Sequence, residues 1–228
     1  NESGCLVEIL DAPSSRRLSE YLDNLTPRLS EGFKGEINLN IRPWMDELTR
    51  ALAMGFVLTV DYGYDMGELY SPKCSKGTLQ TYYRHHQGGG PYVRIGRQDI
   101  TAHVDFSLIE SEGDAAGLRS LGVVSQSAFL RSMGFEAMRR RLVAMDLAQR
   151  DRDANMMGML ELVKPGGLGS FKVLIQEQGT GVARLGQLTP DRELANEVGV
   201  PLLRDDHMEL MKGRYPHLVW ESVSPWDS

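Results

Sequence analysis

Cysteine is scarce: Cys5 and Cys74 are the only two in 228 residues, and neither sits in CxxC or CxxH spacing. That pattern suggests neither a disulfide framework nor a structural zinc site, and a reducing, cytoplasmic setting fits it best. Positive charge is also short. Lys and Arg total 25 against 31 Asp and Glu, a net −6, which argues against nucleic acid, because phosphate backbones are gripped by clustered Lys and Arg. No apolar run approaches the roughly 20 residues of a membrane helix. The opening NESGCLVEIL lacks the basic-then-apolar layout of a signal peptide, so no membrane partner is expected. Internal repeats and low-complexity linkers are absent too.

Chemical fingerprints are equally sparse. There is no GxSxG elbow, so nucleophilic hydrolysis has no obvious seat. The glycine-rich stretches at 88–90 and 166–169 do not lie between a strand and a helix and therefore read as turns. Gly179 and Gly181 follow an apolar segment, but no amphipathic helix begins there, so they fail the dinucleotide pattern.

What is present is a chain with 41% hydrophobic residues, enough to bury a core as one large domain or a domain with an appendage. LVEIL at 6–10 reads as a strand. SRRLSEYLDNL spaces Leu18, Tyr21, Leu22 and Leu25 as a helix does, with Ser14 or Ser15 as its cap. EINLNI alternates, Pro43 opens a helix over WMDELTRALAM, and Gly55 closes it. FVLTV at 56–60 is an unbroken apolar run of the kind buried on both faces of a parallel sheet, and it stops abruptly at Asp61-Tyr62-Gly63-Tyr64.

The second half repeats the alternation. Asp105 or Ser107 can cap a helix over SLIESEGDAAG, LGVV at 121–124 is a strand, and Ser125 caps QSAFLRSM. FEAMRRRLVAMDLAQ carries Phe135, Met138, Leu142 and Met145 on one stripe, with Arg139–Arg141 on a solvated face. MMGMLELV is a helix halted by Pro165, its methionines filling core. GGLGS is a loop and FKVLIQEQ at 171–178 a strand. After Gly181 the chain becomes a polar, Pro-punctuated extension with weak helices near 191–198 and 204–212. Helices alternating with short strands predict an α/β layered fold, with ligands beyond the strand ends. Asp61, Tyr62 and Gly63 occupy such an end, where a capping Asp and a turn Gly are the plainer alternative.

GRQDITAHVDF at 96–106 places Arg97, Asp99, Thr101, His103 and Asp105 at alternate positions. Three structures suit it. A half-exposed strand would put all five on one face; a loop would use Asp99 and Thr101 as turn residues and Asp105 as a cap; a catalytic segment would pair His103 with an aspartate that orients the imidazole. His85, His86, His103 and Asp105, with Cys74, could be gathered around a metal, but HxD is a two-residue signal and no metal is expected.

The segments VLTVDYGY, ELYSP, KGTLQTYYRHH, GPYVRIGRQDITAHVDFS, then Gln126, FL at 129–130, Gly134 and GSFKVLI together resemble the MidA-like family of S-adenosylmethionine-dependent methyltransferases, over about residues 6–180. The resemblance implies a Rossmann-like α/β methyltransferase fold with helical insertions, FVLTV as its fifth strand, and a carboxyl-terminal extension over 181–228. It implies S-adenosylmethionine as cofactor and a protein, plausibly arginine, as acceptor. Asp61, Asp99, His103 and Asp105 become the candidate catalytic groups. Tyr62, Gly63, Thr78, His85, Thr101, Phe106 and Gln126 become candidate substrate contacts. The family's glycine-rich loop and the acidic residue that hold the cofactor have no counterpart in this sequence. The 228 residues are therefore expected to be the carboxyl-terminal part of a methyltransferase. The alternative is a non-catalytic binding or assembly module whose partner could be a second copy in a homo-oligomer, since missing strands expose a sheet edge.

Overall fold

The computed structural model describes residues 6–26, 28–84, 86–182 and 199–202. The chain forms two compact units, one of Asn1–Gln126 with Ser170–Leu188, the other of Ser127–Gly169 with Thr189–Ser228. In chain order the regular elements are α1 (Arg16–Asp23), α2 (Ile41–Ala51), β1 (Gly55–Asp61), β2 (Gly63–Tyr64), α3 (Met66–Leu69), β3 (Gln80–Tyr83), β4 (His86–Gln87) and β5 (Asp99–Thr101). There follow β6 (Val104–Asp105), α4 (Phe106–Ala116), β7 (Arg119–Ser125), α5 (Gln126–Ser132), α6 (Phe135–Ala144), α7 (Gln149–Leu162) and β8 (Lys172–Gln178).

Short polar side chains set the helix starts. The Ser15 hydroxyl accepts from Leu18 N at 3.2 Å, and Asp105 Oδ1 accepts from Leu108 N at 3.1 Å. Each satisfies an amide that the first turn leaves unpaired. Helix α2 begins at Ile41, so Pro43 lies inside its first turn, where its missing N–H is not needed.

The main sheet has the order β1–β8–β7, with β8 antiparallel to both neighbours. This corrects the expectation for FVLTV. It belongs to β1, pairs antiparallel with β8 and alternates in burial rather than being enclosed on both faces. The enclosed strand is β8, where Val173, Leu174, Ile175, Gln176 and Glu177 are all buried, because it is flanked on both sides. An apolar run by itself does not tell a central strand from an edge strand. One face of the sheet is covered by α2 and α4 through Ile41, Met45, Phe106, Ile109, Leu118 and Leu174. Gly113 permits that contact: a Cβ there would collide with the Gln176 side-chain amide. On the opposite face of β1, Phe56, Leu58 and Val60 remain 39%, 51% and 47% exposed.

LVEIL is not a strand. Residues 6–10 are irregular and exposed, and no strand among the described residues pairs with them. Extended propensity without a hydrogen-bonding neighbour makes no sheet.

The second unit packs Phe135 and Leu142 of α6 on Met159 of α7 and on Val163, with Met138, Met145 and Met156 around them. The stripe is the one its spacing predicts; of the methionines in MMGMLELV, Met156 and Met159 belong to this core, whereas Met157 is 64% exposed. Arg139 lies toward solvent and bonds Glu136 at 2.8 Å. Helix α7 starts seven residues before MMGMLELV, because the polar QRDRDAN also winds into helix. The helices expected at 191–198 and 204–212 lie outside the described residues.

Candidate functional site

Alternation along β1 directs Val57, Thr59 and Asp61 to the face that α2 and α4 cover; Val57 packs on that core. The chain then turns through Tyr62, and β2 pairs in parallel with β6, matching Gly63 to Val104 and Tyr64 to Asp105. Val104 N donates to Tyr62 O at 3.1 Å. Only glycine fits at 63, because a Cβ would run into the Val104 carbonyl oxygen. Two stretches far apart in sequence, 61–64 and 103–105, are thereby locked side by side.

Asp61, His103, Val104 and Asp105 line a cavity of about 400 Å³ whose polar lining also includes Glu36, Asn38 and Thr59, with Trp44 and Tyr70 among the rest. The His103 ring stacks on Tyr64, centroids 4.9 Å apart at 17°. Tyr62 meets the same ring edge-on at 5.2 Å and is itself braced by Phe171 at 5.7 Å. Nδ1 of His103 is buried without a hydrogen-bond partner. The sequence-based pairing of His103 with an orienting aspartate is therefore corrected: no aspartate bonds the imidazole, and aromatic rings orient it instead.

The backbone of His103 is fixed separately. Its N–H donates to Thr78 Oγ1 at 2.9 Å. Thr78 in turn donates to Glu36 Oε2 from its hydroxyl at 3.0 Å and its amide at 2.9 Å. Leu79 N donates to Oε1 at 3.3 Å.

Asp105 caps α4 through Oδ1, while Oδ2 accepts from Tyr21 OH at 3.1 Å. The hydroxyls of Tyr21 and Tyr70 lie 3.1 Å apart. Burial raises the Asp105 carboxyl above the ordinary carboxylate range, and burial likewise raises the phenols of Tyr21 and Tyr70. Asp61 Oδ1 accepts from Tyr62 N at 2.8 Å and steadies the turn.

The remaining candidates are placed differently. Asp99 lies exposed on β5 opposite Tyr82, in a separate sheet of order β4–β3–β5. The alternating run breaks at Ala102, so Asp99 does not share a face with His103 and Asp105. Thr101 pairs with Gln80 at the end of β5. Phe106 is 2% exposed and belongs to the core. Gln126 N donates to Phe171 O at 2.7 Å at the start of α5, and neither Phe106 nor Gln126 lines the cavity. His85 is outside the described residues. Sequence reasoning missed Glu36, Trp44, Thr59 and the Tyr21–Tyr70 pair. Thr59 was within reach, two residues before Asp61 on the same strand face; nothing in GEINLNI marks Glu36.

Residues 1–124 match the model of the family described as "Putative S-adenosyl-L-methionine-dependent methyltransferase". The chain belongs to this family. A curated relative from Drosophila melanogaster, "Protein arginine methyltransferase NDUFAF7 homolog, mitochondrial", is 31% identical over 133 residues, covering 58% of this chain and 28% of the fly protein. A Burkholderia thailandensis structure described as a "likely methyl transferase" bound to S-adenosyl-homocysteine superposes with TM-score 0.69 at 28% identity, covering 85% of this chain and 49% of that one. A native crystal structure of an uncharacterized superfamily protein from the same organism gives TM-score 0.70 at 28% identity, covering 85% and 51%. The chain thus spans about half the length of these solved structures.

The methyltransferase family uses S-adenosylmethionine, so the fit of these residues to it matters. The cavity is lined by Glu36, Asp61 and Asp105 and by the rings of Trp44, Tyr70 and His103, a set that offers acceptors and ring faces but no cationic group for a carboxylate. Among the described residues no strand leads through a glycine cradle into a helix: Gly63, after β1, is filled by the Val104 backbone. The described residues do not, by themselves, form a cofactor cradle. No helix among the described residues is long and apolar enough to cross a membrane.

Proposed function

We propose that the cavity beside the ends of β1 and β6 is the acceptor side of a methyltransferase that modifies arginine in a protein. The observation that carries this is the convergence of Asp61, His103 and Asp105 on one partly closed, aromatic-walled space. A guanidinium needs carboxylates to orient it, and charge-assisted hydrogen bonds to Asp61 and Asp105 supply that. The acceptor nitrogen must also lose a proton as it gains a methyl group. His103 is the base placed to receive it, held by Tyr62 and Tyr64 and through Thr78. Holding the acceptor in one orientation is the larger part of such catalysis, since the transfer needs little covalent help. The fly relative's description as a protein arginine methyltransferase supports the choice of acceptor. A cytoplasmic setting suits it as well, with Cys74 unpaired.

The test is transfer of label from radioactive S-adenosylmethionine to an arginine-bearing protein pool by the natural polypeptide that carries these residues. His103→Ala and Asp61→Asn are expected to lower transfer by about 10²-fold or more, the usual weight of a positioned acid–base group. Full activity in both variants would remove the site assignment. The exposed Phe56, Leu58 and Val60 face of β1 favours the second reading, a binding module without catalysis. That reading predicts no transfer from any variant.

A further inference from the structure

Strands β3, β4 and β5 form an arm whose base is tied to the cavity. Thr78, two residues before β3, accepts the amide of His103, two residues after β5. The arm's far end is basic in a chain of net charge −6. Arg84 and Arg94 stand over the same Tyr83 ring, at 5.4 and 4.5 Å from its centroid, and Arg97 follows. All three are exposed, and none has a carboxylate partner among the described residues. Arg84 and Arg94 also have left-handed backbones, φ 50° and 56°, a conformation that costs a non-glycine residue about 1 kcal/mol or more. Two exposed guanidiniums on one ring, without a carboxylate partner among the described residues, form a basic patch that an anion would complement. The outer edge of β5 is open as well: among the described residues it pairs only with β3, and Ile100 is 54% exposed.

We propose that this arm docks an acidic, extended segment of the polypeptide substrate along the open edge of β5. The carboxylates of that segment would lie against Arg84, Arg94 and Arg97, and its arginine would reach the cavity. The proposal rests on the acceptor assignment above. An added strand gains main-chain hydrogen bonds from Asp99–Thr101, while the arginines supply sequence preference. From Arg97 to His103 is six residues, at most roughly 20 Å of chain. The preferred acidic residues are therefore about six positions from the modified arginine. An anionic membrane is the less suitable occupant, because membrane-binding clusters carry about four to eight Lys or Arg and the rest of this chain is acidic.

The test uses the full chain and fluorescein-labelled peptides with one arginine and a glutamate triplet about six residues to either side of it, read by anisotropy. One of the two is expected to bind, with affinity falling as salt rises. Arg97→Glu, which disturbs no aromatic contact, is expected to weaken binding about tenfold and Arg94→Glu/Arg97→Glu further, while amide exchange at 99–101 slows in the wild-type complex. Replacing the peptide's arginine by alanine leaves the arm-dependent part of binding in place. Acidic peptides that bind equally well with and without their arginine would count against the acceptor assignment and not against the arm. The proposal is overturned if neither peptide binds, if Arg97→Glu changes affinity by less than about twofold, or if only phosphatidylserine vesicles bind.

Discussion

Asp105 performs two tasks that burial opposes. It caps α4 and accepts from Tyr21, both of which favour a carboxylate oxygen, yet its burial raises the carboxyl's pKa. Asparagine retains a capping oxygen and has no charge to desolvate, whereas alanine removes the cap. Asp105→Ala is expected to cost about 1 kcal/mol and Asp105→Asn much less, as read from urea unfolding midpoints, while both lose methyl transfer. The pH dependence follows from the raised value. Asp105 contributes stability fully below the ordinary carboxylate range near about 4, and that contribution fades as pH rises through its raised pKa. Asp105→Asn should therefore gain on wild type as pH rises above about 4. A constant difference across that range would contradict the burial argument.

Among the elements, the β7–β8 pair holds the clearest electrostatic tie. Glu177 of β8 accepts from Thr180 N at 2.8 Å and Thr180 Oγ1 at 2.6 Å, and pairs with Arg119 of β7. Those bonds, Thr180's first, hold its carboxyl below the usual range. Its stabilisation is present above about pH 4.3 and is lost as pH falls through the lowered pKa. Glu177→Gln is thus expected to lower the thermal midpoint at pH 7 and to match wild type near about pH 2. Close packing provides an independent check. Gly113→Val, which pushes a side chain into Gln176, is expected to cost about 1–3 kcal/mol, measured by urea unfolding.

Elements with local signals were the legible ones. Ser15 and Asp105 mark helix starts because capping is a contact across three residues, and the stripe from Phe135 to Met145 declares its own buried face. Pairing partners were not legible. Nothing within FVLTV says that its neighbour is β8 or that the edge beyond it is open, and nothing within ITAHVDF says that β5 and β6 join different sheets. The site divides in the same way. Asp61, His103 and Asp105 stood out by residue type and position, whereas Glu36 and Tyr21 enter through contacts 42 and 84 residues away in sequence.

For the whole molecule, fold and cofactor capacity come apart. The chain superposes on about half of its solved relatives and carries a cation-suited cavity, but its described residues form no glycine cradle. Calorimetric titration of the 228 residues with S-adenosylmethionine is expected to give a Kd of about 1 mM or weaker. Micromolar binding would show that the cradle lies elsewhere in the chain. The most direct test of the central claim is an NMR titration of this same chain with N-acetyl-arginine methylamide, following the Thr59 methyl, the Ala102 methyl and the His103 ring. The account predicts saturable shifts at all three that disappear in Asp61→Asn/Asp105→Asn. No shifts, or shifts confined to another face of the protein, would contradict it.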